Sequence, residues 1–237
     1  MKRTQSVLGV ILLTAVLVGG GFAIEKGKGR GGPADMQESY ISLLPMEDLS
    51  DVERGSLKKM REEEKLARDV YRSLYDRWGV SIFLNIAASE QRHMDAVKFL
   101  MDKYGIADPM GDDQPGGFAD PQLAELYRQL TGLGDQSLEK ALLVGATIED
   151  LDIFDLQNYL LQVDNLDLIF VYGSLKKGSE NHIRAFIGRM EAYGLSYQAQ
   201  YISAEDLEAI LAAESQTGGP GWRNGGGNGS GWRRGRG

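Results

Sequence analysis

Four stretches of this sequence repeat apolar residues at steps of three and four, and in the middle of each the stripe is interrupted by an acid or a histidine. Such steps keep side chains on one face of an α-helix. The first stripe reads Leu57, Met60, Glu64, Ala67, Tyr71, Leu74, Trp78, and the second Phe83, Ile86, Glu90, His93, Val97, Leu100, Tyr104. A third runs Leu138, Ala141, Gly145, Ile148/Glu149, Asp152, Leu156. The fourth runs Leu168, Tyr172, Leu175, Ser179, His182, Phe186, Met190, Tyr193. The pattern predicts an all-α chain whose long helices meet along apolar faces, with ionisable groups at mid-height of the seam.

Start and stop signals divide these stripes into helices. Ser50-Asp51-Val52-Glu53 is a capping box opening a helix to about Trp78, which Gly79 ends. A second helix is expected from Ile82 to Tyr104-Gly105. Asp108 to Asp120 reads as loop, and Asp120-Pro121 caps a short helix to about Leu130. Ser137 opens a third long helix to about Val163, and Asp164 a fourth through Tyr193. Tyr197–Ile202 reads as extended, and Ser203 starts a terminal helix. Four long helices with a long middle crossover predict a four-helix bundle over residues 48–214.

The ends differ from this body. Lys2 and Arg3 precede an uncharged run to Ile24, with an apolar heart at Val7–Val18 and Gly21-Phe22-Ala23 as a small-x-small cleavage site. Residues 1–24 therefore read as a signal peptide or a membrane anchor, and the body as extracytoplasmic, secreted or anchored through its N-terminus. Residues 25–47 read as linker, beginning with the Gly/Lys-rich Glu25–Pro33. Residues 215–237, with repeated Gly, Trp222, Trp232 and four Arg, read as a disordered tail suited to touching nucleic acid, anionic lipid or cell-wall polymer. The formal total is −8 and residues 1–30 and 215–237 carry +4 each, so the middle holds −16. An acidic body of that size argues against a specific nucleic-acid groove.

The seam acids limit the chemistry. A buried carboxylate without a partner costs several kcal/mol, so it takes a proton, pairs with a cation or binds a metal. No Lys or Arg falls on the first two stripes. The chain has no cysteine, which removes thiolate ligands and thiol catalysis, and only two histidines. Both histidines fall mid-seam, on different helices, and Glu90-x-x-His93 places two ligands on one side of a turn. Glu64, Glu90, Glu149, Asp152, His93 and His182 together suit two divalent cations of the iron or manganese type. Simpler readings stand beside this one. Glu64 shares its acidic run with Glu62 and Glu63, and Glu149-Asp150-Leu151-Asp152 is equally suited to a solvated face.

Glu64-Lys65-Leu66-Ala67-Arg68-Asp69-Val70-Tyr71 resembles the first-helix Glu-x-x-Ala-x-x-x-Tyr pattern of bacterioferritin and rubrerythrin, and Glu90-Gln91-Arg92-His93-Met94-Asp95 their second-helix Glu-x-x-His-x-Asp. The stretches Arg61–Tyr71, Asn85–Val97, Val144–Leu156 and Val171–Phe186 resemble an uncharacterised prokaryotic family of ferritin-like proteins over Asp48–Leu211. The resemblance implies a ferritin-like bundle with Glu64 as terminal ligand, Glu90 as bridge, His93 on one metal, Glu149 matching the third-helix Glu and His182 the fourth-helix His. Asp152 would match an extra acid of the third helix. The fourth helix departs from Glu-x-x-His, since Ser179 stands where a second bridging Glu belongs. Either Asp152 takes that bridge or the chain holds one metal. Tyr71 is the candidate catalytic residue, as electron donor or hydrogen-bond donor, against the plain reading of a core aromatic. The resemblance brings no reaction with it; a redox metal pair outside the cytoplasm would suit oxidation of ferrous iron or reduction of oxygen or peroxide. Binding without turnover and a purely structural bundle remain open, as does a homodimer.

Overall fold

The computed structural model describes residues 33–213, and within them seven helices and no strand. The stretches 1–24 and 215–237, expected as signal or anchor and as tail, lie outside the described residues. The helices are α1 (Pro33–Leu43), α2 (Asp51–Trp78), α3 (Ser81–Lys103), α4 (Pro121–Gly134), α5 (Leu138–Leu160), α6 (Leu166–Glu191) and α7 (Ala204–Ala212). The chain is an all-helical bundle in which α2 packs on α3, α5 on α6, and the two pairs face each other.

The helix ends follow the local chemistry. The Ser50 hydroxyl accepts from the Glu53 amide while the Glu53 carboxylate accepts from the Ser50 amide, completing the capping box. Gly79 takes the left-handed conformation, φ 66°, that closes α2. Asp120, Ser137 and Ser203 cap α4, α5 and α7 in the same side-chain-to-amide manner. Asn165 precedes α6 without capping it: its Oδ1 accepts from the Tyr104 hydroxyl at 3.4 Å while its side-chain NH2 donates to Glu53 at 2.9 Å.

Those end contacts fix the direction of each helix. Glu53 near the start of α2 accepts from the Asp164 and Asn165 amides at the start of α6, so α2 and α6 begin at one end. Tyr104, at the end of α3, donates to Asp167 at 2.7 Å, so α3 ends there too. At the far end, the Trp78 indole donates to the Gly134 carbonyl just before α5. The helices therefore run up, down, down, up, and residues 104–137 must climb the full length of the bundle. That is why the crossover is long and carries α4.

The structure alters several expected boundaries. A helix, α1, forms inside the 25–47 stretch read as linker, and Ile41 is fully buried against the bundle. The short helix extends to Gly134, since nothing before Asp135 stops it. Tyr197–Ile202 is irregular rather than a strand, and its amides at Gln200, Tyr201 and Ile202 are satisfied by the buried Asp150 carboxylate. The chain from Arg61 to Tyr71 is buried on every face of α2, because the crossover covers its outer side. Polar groups on that side bind the crossover. Glu62 accepts from the Asp120 amide at 3.2 Å, Lys65 donates to the Gln114 carbonyl at 2.7 Å, and Arg68 pairs with Asp69 and Asp113.

Candidate metal centre

Apolar packing in the bundle is not continuous. One cluster, with Leu66, Tyr71, Leu74, Phe83, Ile183 and Phe186 among its members, fills the end where α2 meets α3. A second, with Leu57, Met60, Val97, Leu100, Leu168 and Tyr172, fills the opposite end. A domain of this size ordinarily has one contiguous core. Here a layer of acids and histidines lies between the two.

Five of the six residues expected as ligands converge in that layer. Glu64, Glu90 and His93 each offer an atom within 4.8 Å of the others, and so do Glu90, Glu149 and His182. Glu90 belongs to both groups. Its Oε2 is 2.6 Å from His93 Nδ1 and its Oε1 is 2.8 Å from His182 Nδ1. His93 Nδ1 is also 3.1 Å from Glu64 Oε2, and His182 Nδ1 3.3 Å from Glu149 Oε2. The arrangement is nearly twofold: each half has one outer glutamate and one histidine, and both share Glu90. The imidazoles stack with centroids 5.6 Å apart.

Periodicity explains the placement. Glu90 and His93 share a face as i and i+3 on α3, with Glu64, Glu149 and His182 at the same height on α2, α5 and α6. A glycine completes the fit. A Cβ on Gly178 would lie 2.5 Å from His93 Nε2, so only glycine there lets the ring lie against α6. Tyr71, fully buried, donates its hydroxyl to Glu149 Oε1 at 2.5 Å. Glu149 thus accepts from a phenol on one oxygen and faces His182 with the other.

Asp152 is brought to the edge of the layer but into neither group. It is buried, and its Oδ2 has no hydrogen-bond partner. Ser179 is also buried, but its hydroxyl turns back to the Leu175 carbonyl at 3.3 Å. Glu90 is therefore the one carboxylate common to both groups among the described residues. The alternatives left open in the sequence resolve toward burial: Glu62, Glu63 and Glu64 are all covered, as are Glu149, Asp150 and Asp152. What sequence reasoning missed is the role of Gly178 and the ion pairs beneath the crossover. The glycine beside Ser179 was the available signal for the first.

Electrostatics follow from crowding buried acids against two imidazoles whose edges reach solvent, 13% exposed at His93 and 11% at His182. Burial pushes the Glu64 carboxyl up to about 8, with His93 pulling the other way. Burial likewise raises Glu149, assisted by the charge of Glu90 and opposed by His182. For Asp152, burial and then Glu64, Glu149 and Glu90 lift the carboxyl well above the usual range. Burial would lower His182, but Glu90 and Glu149 outweigh it and push the imidazole up to about 10. His93 is raised in the same way by Glu64 and Glu90. Glu90 goes below the usual carboxylate range: burial opposes this, and the two imidazoles prevail. Burial and Glu149 keep the Tyr71 phenol protonated.

Protons alone do not satisfy this layer. Glu64 Oε1 and both oxygens of Glu90 lack a hydrogen-bond partner despite complete burial. The Glu90 oxygens are close to two imidazole nitrogens, yet the angles are not those of hydrogen bonds. Three carboxylates and two imidazoles, all O and N donors, are a set that could hold divalent first-row metals.

Fold and site together define a class: an all-helical bundle whose core is divided by a buried carboxylate–histidine cluster, with two ligand groups sharing one glutamate. The chain belongs to the family described as an uncharacterized protein domain, DUF2202, whose model matches residues 53–214. It is 52% identical over 179 residues to the uncharacterized protein MJ0754 of Methanocaldococcus jannaschii, covering 76% of this chain and 97% of that one. A crystal structure of the hypothetical protein MJ0754 superimposes with a TM-score of 0.72, covering 73% of this chain and 98% of that one.

Proposed function

We propose that this protein is a ferritin-like carboxylate protein holding two divalent cations, iron or manganese, and that it oxidises ferrous iron or reduces oxygen or peroxide. The observation that carries the reading is Glu90, whose two oxygens each face a different histidine within 2.8 Å. A carboxylate so placed is suited to bridging two ions. The up-down-down-up path with one long crossover supports the ferritin-like relationship, since such bundles take ligands from facing helices at mid-height.

In this reading Glu64 and His93 would hold one ion and Glu149 and His182 the other, with Glu90 available to both. A redox-active metal pair would supply the electron transfer to oxygen or peroxide that no side chain here provides. The protein's own part is positional and electrostatic. Tyr71 donates to Glu149, fixing which oxygen of that carboxylate is free for a ligand. The two apolar clusters exclude water from either side, and Gly178 admits the His93 ring. Ligand protons leave as the ions arrive, so loading releases acid. The basic and apolar N-terminus supports work outside the cytoplasm; among the described residues no helix is long and apolar enough to cross a membrane.

The test is metal content and oxygen uptake. The protein is loaded anaerobically with ferrous iron, desalted and analysed for iron per chain, then exposed to oxygen. Two equivalents with oxygen consumption, both lost in Glu90→Ala, are expected; no bound iron would refute the reading. Ser179 favours one competing outcome, because its hydroxyl is turned away from the centre. One equivalent with no oxygen uptake would mark a protein that sequesters a single ion without turnover.

A further inference from the structure

Beside the centre, outside both ligand groups, two buried acids face a cavity. Glu63 and Asp152 line a space of about 30 Å³ between α2, α4 and α5 whose other walls are largely apolar, with Leu66, Leu126 and Ile148 among them. Glu63 Oε2 and Asp152 Oδ2 both lack a hydrogen-bond partner. Tyr201, half-exposed, borders the same cavity toward the surface.

On its outer side Glu63 meets a single ammonium. Lys59 Nζ is 2.9 Å from Glu63 Oε1 and 3.7 Å from Asp155 Oδ2. The Lys59 side chain is 45% exposed and that of Asp155 17%, while Glu63 is only 5% exposed. Carboxylates thus follow one another inward from the surface: Asp155, Glu63, Asp152, then Glu64. An ion cannot cross an apolar wall without oxygen ligands, because the desolvation penalty is too large. The other flank of α2 gives no such path, since the crossover closes it with satisfied ion pairs and hydrogen bonds.

We propose that Glu63 and Asp152 form a transfer site for divalent cations between the surface and the metal centre, with Lys59 as a tethered competitor at its outer edge. The assignment rests on the di-metal reading and gives Asp152 a task other than bridging. An arriving cation replaces the Lys59 ammonium on Glu63, so the buried carboxylate keeps a positive partner while the lysine swings into water. It then exchanges between the unpartnered oxygens of Glu63 and Asp152 before reaching Glu64.

Cobalt uptake by the full chain tests this, followed in a stopped-flow instrument by the absorption of bound Co(II). Glu63→Gln, which keeps shape and removes charge, is expected to slow uptake by about tenfold or more with the final cobalt per chain unchanged. Lys59→Gln is expected to act in the opposite direction, speeding uptake by a factor of about two or more. Full loading at wild-type rates in both variants would overturn the route alone. A wild-type chain that takes up no cobalt would overturn the di-metal reading and the route with it.

Discussion

At the scale of single residues the centre depends on Gly178 as well as on its donors. A glycine within a long helix ordinarily weakens it by up to about 1 kcal/mol relative to alanine. Here the missing Cβ is the space that the His93 ring occupies. Gly178→Ala is therefore expected to leave the helix intact or slightly firmer while displacing His93 from Glu64 and Glu90. Cation affinity should fall by about 10- to 100-fold, as for other supports of a ligand, with the thermal midpoint held or raised. Calorimetric titration with manganese checks this, and wild-type affinity in the variant would show that His93 does not need that gap. The meeting of Glu64, Glu90, His93, Glu149 and His182 was legible in the sequence, because 3.6-residue periodicity fixes which side chains share a face; that Asp152 stands outside both groups was not. Gly178 was not, because a close approach between α3 and α6 depends on packing that no single helix encodes.

At the scale of elements, helix starts were legible wherever a side chain caps the first turn. Ser50, Asp120, Ser137 and Ser203 each do so, and the expected and observed starts agree there to within a residue. Boundaries drifted where no cap speaks. The end of α4 was expected at about Leu130 and comes at Gly134. Asn165 leaves α6 uncapped, its Oδ1 accepting from Tyr104 and its side-chain NH2 helping to hold Glu53, whose carboxylate burial would raise but hydrogen bonds from Asn165 and Ser50 hold down at about 2. The helix α1 was hidden for another reason. Ile41, the one deeply buried residue among its described side chains, gives no periodic stripe to read, so only docking on the bundle reveals it. The outer face of α2 depends on docking in the same way. Lys65, Arg68 and Asp69 would read as solvated on an isolated helix, and are buried only because the crossover folds over them.

At the scale of the whole molecule, the ion-free protein carries a destabilising layer through its middle. Glu64, at about 8, and His182, at about 10, keep protons in the fold that the unfolded chain releases near their ordinary values of 4.5 and 6.5. The contribution of the His182 pairs is fully present below about pH 6.5 and is lost as pH rises through about 10. The penalty for keeping Glu64 neutral grows from about pH 4.5 to 8. Both have the same sign, since the folded state binds more protons than the unfolded one, so stability must fall as pH rises. Urea unfolding of the chelated protein at pH 6.5, 7.5 and 8.5 should show a loss on the order of 2 kcal/mol per pH unit from Glu64 and His182 alone, each excess proton being worth about 1.4, with the raised His93, Glu149 and Asp152 acting in the same direction. Bound cations replace those protons, so loading should flatten the profile. A chelated protein that gains stability over this range would contradict the proton inventory of the layer.

The central claim is that one carboxylate, Glu90, joins two ions. Low-temperature electron paramagnetic resonance of the manganese-loaded protein tests it most directly, because two Mn(II) ions sharing a carboxylate are magnetically coupled and separate ions are not. The account predicts the spectrum of a coupled pair in the wild type, lost in Glu90→Gln. The hyperfine pattern of isolated manganese in both proteins, at equal metal content, would contradict it.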